Sequence, residues 1–114
     1  MPYTIDGQPV DVGKEPQLKE GTLWVPLRAL VEALGGSVEW NAADKRIAVT
    51  LDNFITSLQP GDTAVTREAW TNQLQAAPYQ EDGETWVPVR FFNEPLGYKL
   101  DVDLSSKQVD ISRA

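Results

Sequence analysis

The segment Trp24-Val25-Pro26-Leu27-Arg28 returns as Trp86-Val87-Pro88-Val89-Arg90, and the flanking residues return with it. Glu32 is matched by Glu94, and Leu34-Gly35 by Leu96-Gly97, each displaced by 62 positions (86 − 24, 94 − 32, 97 − 35). An ungapped register held over such a distance is the mark of one supersecondary unit used twice. Any fold for this chain must therefore accommodate two related units, either as one domain or as two very small units sharing a core.

The local pattern is the same in both copies. Ile5-Asp6-Gly7-Gln8-Pro9-Val10 sets an Asp-Gly pair between short β-prone runs and predicts a hairpin, because both turn positions favour positive φ. Val10 and Val12 alternate with Asp11, which predicts that this strand runs on to Val12. Thr22–Val25 reads as a strand, and Pro26 as the first helical position, where a missing N–H costs nothing. Leu27, Leu30, Val31 and Leu34 follow at i, i+3, i+4 and i+7, one apolar stripe on a short helix that Gly35-Gly36 ends. Val38 and Trp40 then alternate with polar residues and are expected to face the core, and Ile47, Val49 and Leu51 repeat the pattern after a turn at 41–44. In the second copy Leu74 stands for Val12 and Pro78 for Pro16. A helix is expected from Val89, then strands around Tyr98–Val102 and Gln108–Ser112. Pro95 replaces Ala33 well inside that helix, where a proline costs roughly 3 kcal/mol, so the second helix should be shorter, kinked or closed by a tight turn near Asn93. The expected organisation is one α+β domain over 1–114, with repeats at about 3–51 and 64–112 and a linking hairpin at about 53–66. Each half reads β-β-α-β-β, with antiparallel strands wrapped around short helices.

Composition narrows the chemistry mainly by what is missing. The 114 residues include no cysteine and no histidine, which removes disulfides, thiolate nucleophiles, zinc–thiolate sites, imidazole-bound copper and His-based triads. A net charge of −7 opposes phosphate backbones and anionic lipid, so nucleic acid is not an expected partner. No apolar run approaches the roughly 20 residues of a membrane helix, and Met1-Pro2-Tyr3-Thr4-Ile5 lacks the features of a signal peptide. No phosphate-binding, dinucleotide or nucleophile-elbow motif occurs. No catalytic, cofactor-binding or metal-ligating residue is assigned, and no cofactor is expected.

Four groups of residues remain as candidates. Arg28 and Arg90 lie in the first turns of their helices, where a cation opposes the helix dipole by roughly 0.3–1 kcal/mol, with Glu32 and Glu94 four residues on. They read as partly buried structural ion pairs locking helix to sheet, with ligand-binding arginines as the other reading. Trp24 and Trp86 close their strands and are expected in the core. Trp70 has no counterpart and sits in a polar stretch, which makes it the candidate contact for a sugar or a partner surface, with simple packing as the competing account. Acidic residues gather at Glu81-Asp82-Gly83-Glu84 and Asp101-Val102-Asp103. Two such carboxylates serve a glycoside hydrolase only when they converge in one cleft, and neither cluster has the rhythm of a calcium loop.

The duplicated Trp-Val-Pro-Leu-Arg, with Glu32-Ala33-Leu34-Gly35-Gly36-Ser37-Val38-Glu39-Trp40, Lys45 before Ile47-Ala48-Val49 and the opening Ile5–Val10, resembles the copper amine oxidase N-terminal ("stalk") domain of bacterial envelope and secreted proteins. The resemblance covers essentially the whole chain. It implies a non-catalytic α+β module found on bacterial surface proteins, wall-modifying enzymes and proteases, placed outside the cytoplasm. The oxidase chemistry of the family name belongs to a separate domain with histidine copper ligands that this chain does not have. Two departures stand in the second copy: Pro95, and Val102 where the pattern places a second Trp40. The expected function is a binding or spacer module contacting cell-envelope polymer or a protein partner. The alternatives are a protein–protein or inhibitor module and, less favoured, a carboxylate-dependent hydrolase using Asp101, Asp103 or the Glu81–Glu84 turn.

Overall fold

The computed structural model describes residues 2–67, 70–93 and 96–113. Strands β1 (Tyr3–Ile5) and β2 (Gln8–Val10) form the first hairpin, and its turn residues Asp6 and Gly7 take φ of 51° and 82°, the double left-handed turn that their sequence requires. Strand β2 stops at Val10 and does not reach Val12. The Asp11 carboxylate accepts the Gly13 N–H at 2.9 Å, and this local bond turns the chain away from the ladder.

Next come β3 (Gln17–Lys19) and β4 (Thr22–Pro26), followed by α1 (Leu27–Ala33). Pro26 is thus the last strand residue, extended at φ −75° and ψ 122°, and the helix begins one residue later than expected. Its stripe of Leu27, Leu30 and Val31 is fully buried, and the backbone turns out at Gly35 with φ 95°. Gly36 fills a different need. A Cβ there would stand 2.4 Å from the Thr50 carbonyl oxygen, so only glycine lets the helix end pass the sheet at this distance.

Strands β5 (Ser37–Asn41), β6 (Arg46–Leu51), β7 (Phe54–Leu58), β8 (Ala64–Arg67) and β9 (Trp70–Gln73) make one five-stranded antiparallel sheet in that order. Strands β7 and β8 pair antiparallel, and β7 also pairs with β6. Strands β10 (Tyr79–Glu81) and β11 (Glu84–Pro88) join β4 and β3 in a second sheet, ordered β10-β11-β4-β3. A 3-10 helix, Val89–Phe92, then takes the place of the expected second α-helix. It closes through Asn93, whose N–H donates to the Arg90 carbonyl at 3.0 Å, so the second helix is short as its proline implied. Pro95 itself lies outside the described residues. Strands β12 (Lys99–Asp103) and β13 (Gln108–Ser112) complete a third sheet, β12-β13-β1-β2, in which β1 runs parallel to β13. Among the described residues the architecture is mostly β, with three sheets and one α-helix, which is compatible with the α+β class.

One core joins all three sheets. Leu23, Val25 and Val87 meet the α1 stripe, and Phe91 and Phe92 pack edge to face with centroids 5.4 Å apart. The C-terminal strand is tied down by a polar clamp. The Tyr98 hydroxyl donates to Asp52, and Arg113 reaches Asp52 at 3.3 Å, Asp6 at 3.8 Å and the Leu34 carbonyl at 3.2 Å. Burial, and then the bond to Asp52, pushes the Tyr98 hydroxyl from 10.0 up to about 12. Burial moves Tyr3 in the same direction.

A raised pKa favours the protonated phenol in the folded state, so its contribution is complete below about 10 and is lost as pH rises through about 12. Urea unfolding should therefore show stability falling between these limits, with Tyr98→Phe removing part of the fall. At neutral pH the same variant should lose about 1–3 kcal/mol through the bond to Asp52. Gly36→Ala should cost at least about 2 kcal/mol in the same measurement, because its new methyl meets backbone and not a yielding side chain.

Candidate functional site

Trp24 and Trp86 are buried, as expected. They alternate with Leu23, Val25 and Val87 and so project from the other face of their sheet. In the β4–β11 ladder Trp24 stands opposite Pro88, and Trp86 opposite Pro26. Trp24 also meets the Tyr79 ring edge-on at 4.9 Å, and Lys19 Nζ donates to the Tyr79 hydroxyl at 2.8 Å. The result is a small Trp-Pro-Tyr layer behind the main core.

Two aromatic sites do reach solvent. The first is a ledge at one end of the five-stranded sheet. Register places Arg67 opposite Trp70 at the end of β8, next to Thr66, which pairs with Ser57 of β7. The guanidinium carbon of Arg67 lies 4.7 Å from the Phe54 ring centroid and 5.2 Å from that of Trp70, so the cation is held between two exposed rings. Phe54 and Trp70 are 44% and 36% exposed, and Ile55 on the opposite face of β7 is 60% exposed. Trp70 is thus an exposed ring in contact with a cation.

The second site corrects an expectation. Trp40 was expected to join Val38 in the core, yet it is 45% exposed. Alternation does put both on one sheet face. Val38 is buried over the core, whereas Trp40 pairs with Ile47 one residue from the strand end and stays half exposed. There Trp40, Val38 and Ile47 form one wall of a cleft of about 330 Å³, with Arg28, Gln80, Glu84 and Thr85 also lining it. A second cleft, of about 370 Å³, is lined by Arg90, Leu100, Val102, Leu104, Thr22 and Leu23. Sequence alone offered one signal for the first cleft: Val102 occupies the position 62 residues beyond Trp40.

The ion pairs are modest. Arg28 and Glu32 lie 3.9 Å apart along the helix, each 55% exposed, so the contact runs within α1 and does not lock helix to sheet. Arg90 is exposed, and its expected partner Glu94 lies outside the described residues. The acidic clusters occupy turns and strands. Asp103 accepts from Ser105 N at 3.0 Å and Ser105 Oγ at 2.7 Å, and these bonds hold its carboxyl below the usual range. Asp101 pairs with Asp110 across β12–β13, and Glu81 with Glu84 across β10–β11. Among the described residues no three Asp or Glu side chains gather as a metal-binding group would require, and no helix is long and apolar enough to cross a membrane.

A small three-sheet module with its conspicuous side chains on surfaces is the class that these features define. Residues 4–111 match the copper amine oxidase N-terminal domain family, and the chain belongs to it. It is also similar to a protein named "Protease inhibitor" from Brevibacillus choshinensis, with 30% identity over 102 residues. That match covers 90% of this chain but 31% of the relative, so the chain spans about a third of the relative's length.

The different burial of the tryptophans has a direct consequence for stability. Trp86→Ala should cost about 3–5 kcal/mol in chemical denaturation, whereas Trp40→Ala should cost under about 1.5 kcal/mol, since about half of its ring already faces water.

Proposed function

We propose that this chain is a non-catalytic binding module acting outside the cytoplasm, and that it docks a protein partner through the ledge and the neighbouring edge strand β9. The observation that carries the reading is Arg67 held between Phe54 and Trp70 in the open. Tryptophan and arginine dominate interface hot spots because they bury much area at small entropic cost, and here the arginine is already positioned. Family membership supports the non-catalytic part, and the similarity to a protein named as a protease inhibitor supports a protein partner. The inhibitor reading follows if that partner is a protease.

We also propose that the molecule is two copies of one unit. The ranges β3 and β10, β4 and β11, β5 and β12, and β6 and β13 all start 62 residues apart, as do α1 and the 3-10 helix. On this reading β8–β9 repeats β1–β2, and β7 alone is the inserted strand. One difference between the copies then bears on docking. Thr71 and Gln73 alternate with the inward-bonded residues of β9 and turn their amides outward, and Asn72 Oδ1 already holds the Gln73 N–H at 2.7 Å. The position matching Thr71 on the edge strand β2 is Pro9, which has no N–H to offer. Proline is a usual guard on sheet edges. The edge at β9 has neither proline nor charge, and an extended segment of a partner can add to it.

The test is direct binding, by titration calorimetry, to representative trypsin-type and subtilisin-type proteases. The expected result is saturable binding to at least one of them, weakened at least about tenfold by Trp70→Ala and by Thr71→Pro. Thr71→Pro should keep the wild-type melting transition, because its N–H points away from the sheet, and Trp70→Ala should lose at most about 1 kcal/mol, the worth of an exposed contact with Arg67. Absence of binding to both enzymes removes the inhibitor reading, and binding that both variants retain removes the ledge.

A further inference from the structure

We infer that the cleft at Trp40 binds a neutral oligosaccharide, with the indole as the platform for a pyranose ring. This site is separate from the ledge, and the inference does not depend on the protein-docking reading. The first support is that packing does not explain Trp40. The repeat-related position holds Val102, which packs against the core in an otherwise similar cleft, so the architecture has no need of an aromatic ring there. At position 40 the ring is half exposed on the wall of a cleft of about 330 Å³, the size that suits a small ligand.

The polar lining selects among ligand classes. Arg28 enters the cleft, but Glu32 lies 3.9 Å from its guanidinium and Glu84 lines the same space. A phosphate or carboxylate would meet Glu84 in the cleft and an Arg28 already shared with Glu32, in a chain of net charge −7. A cation would meet Arg28. A wholly apolar ligand would strip water from Arg28, Gln80, Glu84 and Thr85 without replacing its hydrogen bonds. A neutral sugar avoids all three penalties. Its C–H face covers the indole, and its hydroxyls both donate and accept, which matches a guanidinium, a carboxamide, a carboxylate and a hydroxyl on the facing walls. The second cleft also carries a guanidinium, a carboxamide, a carboxylate and a hydroxyl, from Arg90, Gln75, Asp101 and Thr22, but it has Val102 and no aromatic platform, so it serves as a control for the ring itself.

The experiment follows the four tryptophan indole N–H resonances of the full chain by NMR during titration with chitotetraose and, separately, cellotetraose. The resonance lost in Trp40→Val, the residue that the other copy carries, identifies Trp40. The expected result is a saturable shift of that resonance with at least one of the two sugars. Affinity should fall at least about tenfold in Trp40→Val and in the double variant Arg28→Ala/Gln80→Ala, and should stay unchanged in Trp70→Ala. Val102→Trp should add a second, weaker binding event. An unchanged melting transition shows that Trp40→Val is folded. The inference is overturned if neither sugar shifts the Trp40 resonance at millimolar concentration, if Trp40→Val binds as well as wild type, or if an acidic hexapeptide binds the cleft while both sugars do not.

Discussion

The ladder between β4 and β11 is the contact on which the rest of the molecule depends. Val25 faces Val87, the same residue of the repeated motif, with Trp24 opposite Pro88 on one side and Pro26 opposite Trp86 on the other. When equivalent positions meet at the centre of an antiparallel pair, the pairing has a local two-fold axis, as in a symmetric dimer interface. Each strand leads at once into its helix, and each helix then lies on the facing strand: α1 packs against β11, and the 3-10 helix against β4. The motif thus joins two strand–helix units as well as turning strand into helix. Its residues are buried from both sides, with Val25 and Val87 in the main core and the tryptophans in the layer behind.

Much of this was legible before any coordinates, for specific reasons. The Asp6-Gly7 hairpin, the α1 stripe and the β7–β8 hairpin depend on neighbours within a few residues, where turn chemistry and periodicity are strong. Pro95 pointed to the short second helix through a constraint that is equally local. The failures share a different cause. Alternation told which face Trp40 shares with Val38, but not where the core beneath that face ends. The extension of β2 to Val12 failed because the Asp11 side chain competes for the backbone, and a count of apolar residues does not register such competition. The Arg67 contact with Phe54 and Trp70 was invisible because it needs the register of three strands at once.

The proposed duplication also indicates where function belongs. Positions that serve the two-fold joint are constrained in both copies and cannot diverge without disturbing the ladder. Divergence is free only where a side chain leaves that framework, and the conspicuous differences fall there. Strand β7 has no counterpart and supplies Phe54 and Ile55, Thr71 replaces Pro9 at a sheet edge, and Trp40 replaces Val102 in a cleft. None of these contributes much to the core.

Stability does not account for keeping such residues. A large aromatic side chain gains about 1.5–3 kcal/mol when it is fully buried, and a ring left half in water forgoes much of that gain while adding to the exposed apolar surface. Trp40 and Trp70 both remain in that position, although on the proposed duplication the matching positions hold Val102 and Gln8. Each exposed ring also has a cation in its surroundings: Arg67 over Trp70, and Arg28 on the lining of the Trp40 cleft. A ring that the fold does not require, set beside polar groups with hydrogen-bonding capacity to spare, gains its energy when something else covers it. The two sites lie on different edge strands of one sheet, β5 and β9, so occupation of one leaves the other open.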